Sequence, residues 1–333
     1  MTRPPAYRPL DNKKKTKQPP PYMRQVGGRV KFPQWIIDEV RKNKKDLRHL
    51  NSLNTIQDTK RFNLHTVCDE ALCPNKGKCF SEGEATFLIL GDICTRKCKF
   101  CAVNKKEKPL ALDSEEPRNI AILSKKWNLK YIVFTSPTRD DLNDGGAAHF
   151  AKTITVIKKI STAIKTEPLI PDFGGNIKSL ETVLNAKPNV LAHNIETVPS
   201  LYEKIRLGSD YKRSLQVIKN SKKLSSSILT KSGLMLGLGE TEKELRKTFS
   251  DLLEHNCELL TLGQYIPPSK NHYPVKRYLH PEEFKTLKEK AEKMGFKAVL
   301  SGPLVRSSYK ANYLYEKGIG AMVSDISIRE NNE

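Results

Sequence analysis

Six short apolar runs recur along the chain and constrain its fold more than any other feature: ATFLIL (85–90), YIVFTS (131–136), PLIPDF (168–173), NVLAHNI (189–195), SGLMLGL (232–238) and ELLTLGQ (258–264). The intervals carry helical spacing. Phe150, Ile154 and Ile157 share one face, as do Leu245, Phe249 and Leu252, and again Phe284, Leu287 and Ala291. Acidic starts at Thr241-Glu242 and Pro281-Glu282-Glu283 suit helix N-termini, where the backbone dipole favours negative charge. Strand–helix alternation repeated six times predicts parallel strands joined by crossover helices. An open doubly wound sheet and a barrel share that rhythm, and the unusual residues decide between them. They follow strand after strand: CTRKCKFC (94–101), TSPTRDD (135–141), DFGGN (172–176), HNIE (193–196), GLGET (237–241) and GQY (263–265). In a barrel those loops gather on one rim. The predicted fold class is therefore α/β, a partial (βα)6 TIM-type barrel over residues 85–296. An N-terminal extension over 35–84 precedes it, and a C-terminal extension over 297–333 opens with one further strand, KAVLSG (297–302).

Residues 1–34 are Pro- and Lys-rich without periodicity and read as a flexible basic arm. A short amphipathic helix is expected around Trp35–Lys44. The opening stretch has no apolar h-region and is broken by Pro4, Pro5, Pro9, Pro19, Pro20 and Pro21, which suits neither a secretory nor a mitochondrial signal. No run approaches the ~18 apolar residues of a membrane span. The expectation is a soluble protein without a membrane partner, cytoplasmic, with the mitochondrial matrix as the alternative. The chain carries 58 Lys and Arg against 37 Asp and Glu, a net charge of +21. Such an excess attracts nucleic acid, an anionic membrane face or an acidic protein, and lysines scattered this evenly also fit a plain solvated surface.

Six of the seven cysteines lie between residues 68 and 101, a crowding that in an intracellular protein points to metal rather than disulfides. They form two sets, Cys68-x4-Cys73-x5-Cys79 and Cys94-x3-Cys98-x2-Cys101. Structural zinc takes four ligands from two short knuckles, so six thiolates over-supply one zinc and under-supply two. Iron–sulfur cubes are held by thiolates, normally four each. Three per set predicts two 4Fe–4S clusters, each with one iron that no cysteine holds. Cys257, alone at a helix end, reads as a small apolar core residue.

The second set, directly after the first barrel strand and with Phe100 before its last cysteine, resembles the motif of the radical S-adenosylmethionine (SAM) superfamily. That resemblance implies that the amino and carboxylate groups of SAM chelate the open iron held by Cys94, Cys98 and Cys101. Reduction then yields methionine and a 5′-deoxyadenosyl radical. The first set narrows the resemblance to the lipoyl synthase family. The similarity runs through TVCDEALCPNKGKC, TFLILGDICTRKCKFCAV, TSPTRDDLNDGGAAHF, PDFGGN, HNIETVP, SGLMLGLGET, TLGQYIPPS and LVRSSY, over roughly residues 30–316. It implies insertion of two sulfur atoms at carbons 6 and 8 of a protein-bound octanoyl-lysine, drawn from an auxiliary cluster on Cys68, Cys73 and Cys79. Neither carbon has an acidic hydrogen, so a radical route is the reasonable one. RSSY (306–309) resembles the motif whose serine completes the auxiliary site, which implies Ser308, with Ser307 as the alternative. An alkoxide matches iron less well than a thiolate and leaves more readily when sulfur is extracted, which makes Ser308 the expected catalytic residue. Two positions depart from the family pattern: Gly174, where an arginine is common, and Lys310, where a histidine is.

For SAM, the strand-end residues Thr135, Ser136, Asn194, Glu196 and Gln264 are the expected hydrogen-bonding contacts, with Met235 against the adenine and Phe100 completing the cofactor set. GLGET lacks the lysine of a phosphate loop and reads as a tight strand–helix turn. His193 reads as a buried imidazole rather than a proton shuttle. The implied partners are octanoylated lipoyl-carrier domains of 2-oxoacid dehydrogenase complexes and the glycine-cleavage carrier protein, with an electron donor such as ferredoxin or flavodoxin and no nucleic acid. Acidic carriers suit the +21 charge. Two other readings compete. A two-cluster methylthiotransferase acting on tRNA has similar sulfur chemistry, but the first cysteine set is too compact for it and no RNA-binding domain follows the barrel. A zinc-dependent nucleic-acid binding protein predicts a colourless preparation.

Overall fold

Each of the six apolar runs carries all or part of a strand, and the strand residues among them are mostly buried. The computed structural model describes residues 32–45, 50–82, 85–105 and 108–330, so the arm expected over 1–34 lies, apart from 32–34, outside the described residues. Eight strands stand in one sheet in chain order: β1 (His65–Thr66), β2 (Thr86–Leu88), β3 (Tyr131–Thr135), β4 (Lys165–Leu169), β5 (Val190–Ala192), β6 (Leu229–Leu236), β7 (Leu259–Gln264) and β8 (Ala298–Gly302). From β2 to β8 every neighbouring pair is parallel. The expected partial parallel barrel is present, and β2 to β7 fall at the six runs, although β4 begins earlier than expected and shares only Pro168 and Leu169 with PLIPDF. It differs from the sequence reading at both edges. β8 pairs with β7 from Leu259–Ala298 to Gly263–Gly302, so a seventh parallel strand comes from the segment set apart as a C-terminal extension. β1 pairs antiparallel with β2, His65 opposite Leu88, and two residues are too few to show any alternation.

Before the barrel come α1 (Gln34–Lys45), α2 (Leu50–Arg61) and the short α3 (Val67–Glu70) and α4 (Lys76–Ser81). The crossovers hold α5 (Glu116–Lys126), α6 (Ala147–Ile160), α7 (Ile177–Asn185), α8 (Tyr202–Ile205), α9 (Tyr211–Leu224), α10 (Glu242–Glu254) and α11 (Pro281–Met294), and α12 (Ala311–Glu330) follows β8. The predicted helix faces are the buried ones: Phe150, Ile154 and Ile157 on α6, Leu245, Phe249 and Leu252 on α10, Phe284, Leu287 and Ala291 on α11. Each of these Leu, Ile and Phe side chains contributes about 1.5–3 kcal/mol by burial. α10 begins at a capping box of Thr241 and Glu244, the acidic start expected there. Among the described residues no helix is long and apolar enough to cross a membrane.

α12 closes the N-terminal end of the barrel. Its Leu314 and Tyr315 pack with Val190, Leu229, Leu259 and Ala298, the first residues of β5 to β8. A Cβ on Gly318 would come within 2.7 Å of Leu259 Cδ2, so the glycine lets the helix approach β7 without displacing that side chain. Above α12, the buried ammonium of Lys231 donates to Glu167 at 2.7 Å, and the Tyr131 hydroxyl donates to the other carboxylate oxygen at 2.5 Å. A buried charge pair is tolerated when its remaining lone pairs are also met. With that end filled, the C-terminal ends of the strands are left for chemistry.

Candidate metal and cofactor site

The second cysteine set lies on the loop after β2 and is fastened from several sides. Cys94 N–H donates to Asn104 O at 2.8 Å, Lys99 N–H to Ile205 O at 2.8 Å, and Tyr273 N–H to Lys99 O at 2.9 Å. Lys105 Nζ reaches back to the carbonyls of Cys98 and Cys101 at 2.8 and 2.5 Å. Arg96, between two of the cysteines, is the main anchor. Its guanidinium grips Asp172 at 2.6 and 3.0 Å and Asp140 at 2.9 Å on both oxygens, which ties the loop to the ends of β4 and β3. Arg213 adds a bond of 2.8 Å to Asp172 from α9. Although burial opposes it, the Arg96 guanidinium holds the Asp172 carboxyl well below the usual carboxylate range.

The first set sits on two short helices. Thr66 caps α3, accepting from Asp69 N–H at 3.2 Å, and so aims Cys68 inward. Cys79 lies on α4, and Cys73 between the two helices. Buried Asn75 joins this segment to the C-terminal loop, its amide donating to Leu304 O at 2.6 Å and accepting from Asn43 at 3.1 Å. The RSSY loop is held against the barrel: a Cβ on Gly263 would strike Val305 O at 2.1 Å, so backbone meets backbone there. Thr86, the first residue of β2, donates to Ser308 Oγ at 2.7 Å, and Asn194 Nδ2 donates to Ser307 Oγ at 3.3 Å.

These loops enclose a cavity of about 350 Å³ at the C-terminal ends of the strands. Five of the six clustered cysteines line it, Cys68, Cys73, Cys94, Cys98 and Cys101, and so do Ser307 and Ser308. Phe100, Thr135, Ser136, Asn194, Glu196, Met235 and Gln264 line it too. Cys79 faces a second cavity of about 260 Å³, which it shares with Cys68, Cys73 and Ser308 but not with Ser307. That arrangement favours Ser308 over Ser307 as the oxygen beside the first set.

The donor chemistry fits clusters. Burial pushes the Cys68 thiol up to about 12 and Cys98 up to about 11. Such sulfurs stay protonated unless a metal takes the proton's place. Two buried polar atoms in the cavity wall, Ser136 Oγ and Asn194 Oδ1, have no hydrogen-bond partner among the described residues. Each orphan costs about 1–3 kcal/mol, a cost that a polar ligand relieves. Asn194 Nδ2 donates to Glu196 at 3.0 Å, and burial pushes the Glu196 carboxyl up against the opposing charge of Arg206. Glu196 also holds φ of +67°, a left-handed backbone that costs a non-glycine residue about 1–3 kcal/mol.

One expected contact is corrected. Gln264 donates through Nε2 to Leu236 O, Tyr265 O and Arg277 O at 2.9–3.2 Å and accepts from Leu279 N–H at 2.9 Å. Both amide protons are committed, so Gln264 latches the 277–279 segment to β7 rather than presenting a group to SAM. Thr135 is half committed, donating to Leu169 O at 2.7 Å while its oxygen can still accept. Phe100 and Met235 pack against the core as well as lining the cavity. His193 Nδ1 bonds Ile170 O at 2.8 Å from within the core, as a buried imidazole does, and Cys257 is buried in the core. The GLGET turn folds around its own carboxylate, Glu240 accepting from the N–H groups of Gly237, Leu238 and Gly239. At Gly174 a side chain would meet open space. Sequence reasoning missed Arg96, Asn75 and Arg206. Arg206 lines the cavity and bonds Tyr202 and Ser214 at 2.6 and 3.0 Å.

A parallel barrel with a C-x3-C-x2-C loop over its C-terminal rim defines the radical SAM class, and residues 88–252 match the Radical SAM superfamily. Methylornithine synthase has a similar fold, with a TM-score of 0.50, 15% identity and 60% of each chain covered. A maturase of the FeFe-hydrogenase gives 0.50 at 14% identity, covering 80% of this chain and 65% of the other. The lipoyl synthase of Caldicellulosiruptor saccharolyticus is 51% identical over 282 residues, 85% of this chain and 96% of that one. The lipoyl synthase of Pseudomonas aeruginosa (strain UCBPP-PA14) is 52% identical over 254 residues, 76% and 77%. The chain belongs to the lipoyl synthase family and is a radical SAM enzyme that uses a 4Fe–4S cluster and SAM. That membership sets aside the tRNA methylthiotransferase and the zinc-dependent binding protein.

Proposed function

We propose that this enzyme inserts two sulfur atoms at carbons 6 and 8 of an octanoyl group amide-linked to a lysine of a carrier domain. Cys94, Cys98 and Cys101 hold one cluster, and Cys68, Cys73, Cys79 and Ser308 hold a second. When bound, the first supplies a 5′-deoxyadenosyl radical from SAM and the second supplies sulfur. The observation that carries the reading is that Cys68, Cys73 and Ser308 line one cavity together with Cys94, Cys98 and Cys101, so a single acyl chain can meet both centres.

The chain's own residues divide the remaining work. Ser136 Oγ and Asn194 Oδ1 meet polar groups of SAM, with Glu196 oriented by Asn194 Nδ2. Val67, Leu72, Leu88, Ile266 and Val305 give the cavity an apolar wall that takes an acyl chain and keeps water from a reactive carbon. Thr86 donates to Ser308 Oγ and steadies it as an oxygen ligand. Lys97 and Lys99, exposed on the second cysteine loop, suit an acidic electron donor of the ferredoxin or flavodoxin kind, and the wider positive charge suits acidic carrier domains.

Anaerobic preparation with iron and sulfide counts tests the reading. About eight irons per chain are expected, falling to about four in Cys68→Ala and in Cys98→Ala. Wild type with SAM, a reductant and an octanoyl-lysyl peptide should yield a product heavier by two sulfurs, and neither variant should. A wild type that cannot be raised above about four irons overturns the second cluster.

A further inference from the structure

The first cysteine set is a partition between two cavities. Cys68, Cys73, Thr86, Arg306 and Ser308 line both, whereas Cys94, Cys98 and Cys101 line only the larger and Cys79 only the smaller. The smaller cavity runs from that partition toward the N-terminal end of β3, away from the SAM side. Beyond Trp127 and Val133 its lining ends in Glu82, Asn128, Lys130 and Asn312, all four exposed.

The two faces of the partition suit different traffic. The larger cavity offers an acyl chain an apolar wall, and substrate held there occupies the space beside Cys68, Cys73 and Ser308. Moving a hydrated ion past apolar surface costs free energy, and a polar rim lets it keep water or exchange it for protein oxygen. A site that gives sulfur to substrate on one side must shed iron and regain iron and sulfide before it can serve again. Resting on the reading that Cys68, Cys73, Cys79 and Ser308 hold a sulfur-donating cluster, we propose that the smaller cavity is the exchange port of that site. Iron leaves, and iron and sulfide return, past Glu82 and Asn312 without passing through the substrate cavity. The rim carries both signs of charge, the carboxylate of Glu82 for iron cations and the ammonium of Lys130 for sulfide anions.

The port is tested on the full-length holoprotein under anaerobic conditions. Iron loss is followed with the ferrous chelator bathophenanthroline disulfonate, with and without S-adenosylhomocysteine and an octanoyl-lysyl peptide in the larger cavity. Asn312→Trp and Glu82→Trp narrow the rim from opposite elements, so misfolding of one leaves the other informative. Both should slow loss of the auxiliary iron about tenfold, equivalent to about 1.4 kcal/mol of added barrier. The larger-cavity ligands should leave the rate almost unchanged, and the electron paramagnetic resonance signal of the SAM cluster should be the same throughout. Loss that the ligands slow about tenfold and the tryptophans do not touch overturns the port while leaving the second cluster intact. A wild type with only about four irons removes the second cluster and the port together.

Discussion

Thr86 and Ser308 meet hydroxyl to hydroxyl at 2.7 Å across 222 residues of chain, and the threonine is the donor. A donated hydrogen bond stabilises negative charge on the serine oxygen, which is what an oxygen ligand to iron requires. The Thr86 backbone also bonds Cys68, so one residue of β2 steadies two of the proposed ligands.

Thr86→Val keeps the shape and removes the hydroxyl. It should lower auxiliary iron retention or lipoyl product by about 10–100-fold, the usual range for losing a ligand's hydrogen-bond partner. Ser308→Cys should behave differently, keeping its iron while forming less product, because a thiolate holds iron more firmly than an alkoxide. Equal iron and product in Thr86→Val and wild type would show that the bond is incidental.

Arg96 concentrates charge in the second cysteine loop, with side-chain exposures of 8% for Arg96 and 0% for Asp172. Arg96→Met removes one partner of a buried pair and should cost about 3–5 kcal/mol, toward the low end because Arg213 still faces Asp172. Arg96→Lys should recover less than half of that loss, since an ammonium cannot make two forked contacts. Anaerobic guanidinium unfolding measures both. A change within about 0.5 kcal/mol would mean that the loop is fastened by its backbone bonds alone.

The apolar runs and the cysteine spacing were readable because they are local: a strand buried on both faces needs a continuous apolar stretch, and cluster ligands fall within a few residues of each other. Arg96 was not readable, although it sits inside the motif, because its partners lie 44 and 76 residues away and nothing in CTRKC says that the arginine is buried and the lysine exposed. β8 was visible as an apolar run, but its partner strand was not. Gln264 shows the opposite failure. Its place at a strand end pointed to the ligand, and only the fold reveals that the carbonyl of Arg277 and the N–H of Leu279 have already claimed its amide.

That correction has a measurable consequence. Gln264→Leu leaves the buried N–H of Leu279 and the part-buried carbonyl of Arg277 without this partner, whereas Leu236 O keeps the N–H of Tyr265, and should cost about 1–3 kcal/mol of stability. The KM for SAM should stay at the wild-type value. A raised KM with unchanged stability would return Gln264 to the SAM-binding set.

His193 makes stability depend on pH. Burial pushes its imidazole down from the ordinary 6.5 to about 4, with the charge of Arg206 adding to the effect. Nδ1 carries the bond to Ile170 O, and Nε2 is a buried atom with no partner among the described residues, so the ring is held neutral in the fold. Unfolding below the ordinary value takes up a proton that the native state refuses. The stabilisation is therefore complete above about 6.5 and is lost progressively as pH falls toward about 4. The full span is worth on the order of 3 kcal/mol, of which about 2 kcal/mol should be gone between pH 7 and pH 5. His193→Asn keeps a donor for Ile170 and removes the titration. Comparing guanidinium unfolding of the two proteins at each pH cancels contributions from other groups, and wild type should lose more stability on acidification. Parallel curves would mean that His193 titrates alike in the folded and unfolded chain, which a ring buried in this way does not allow.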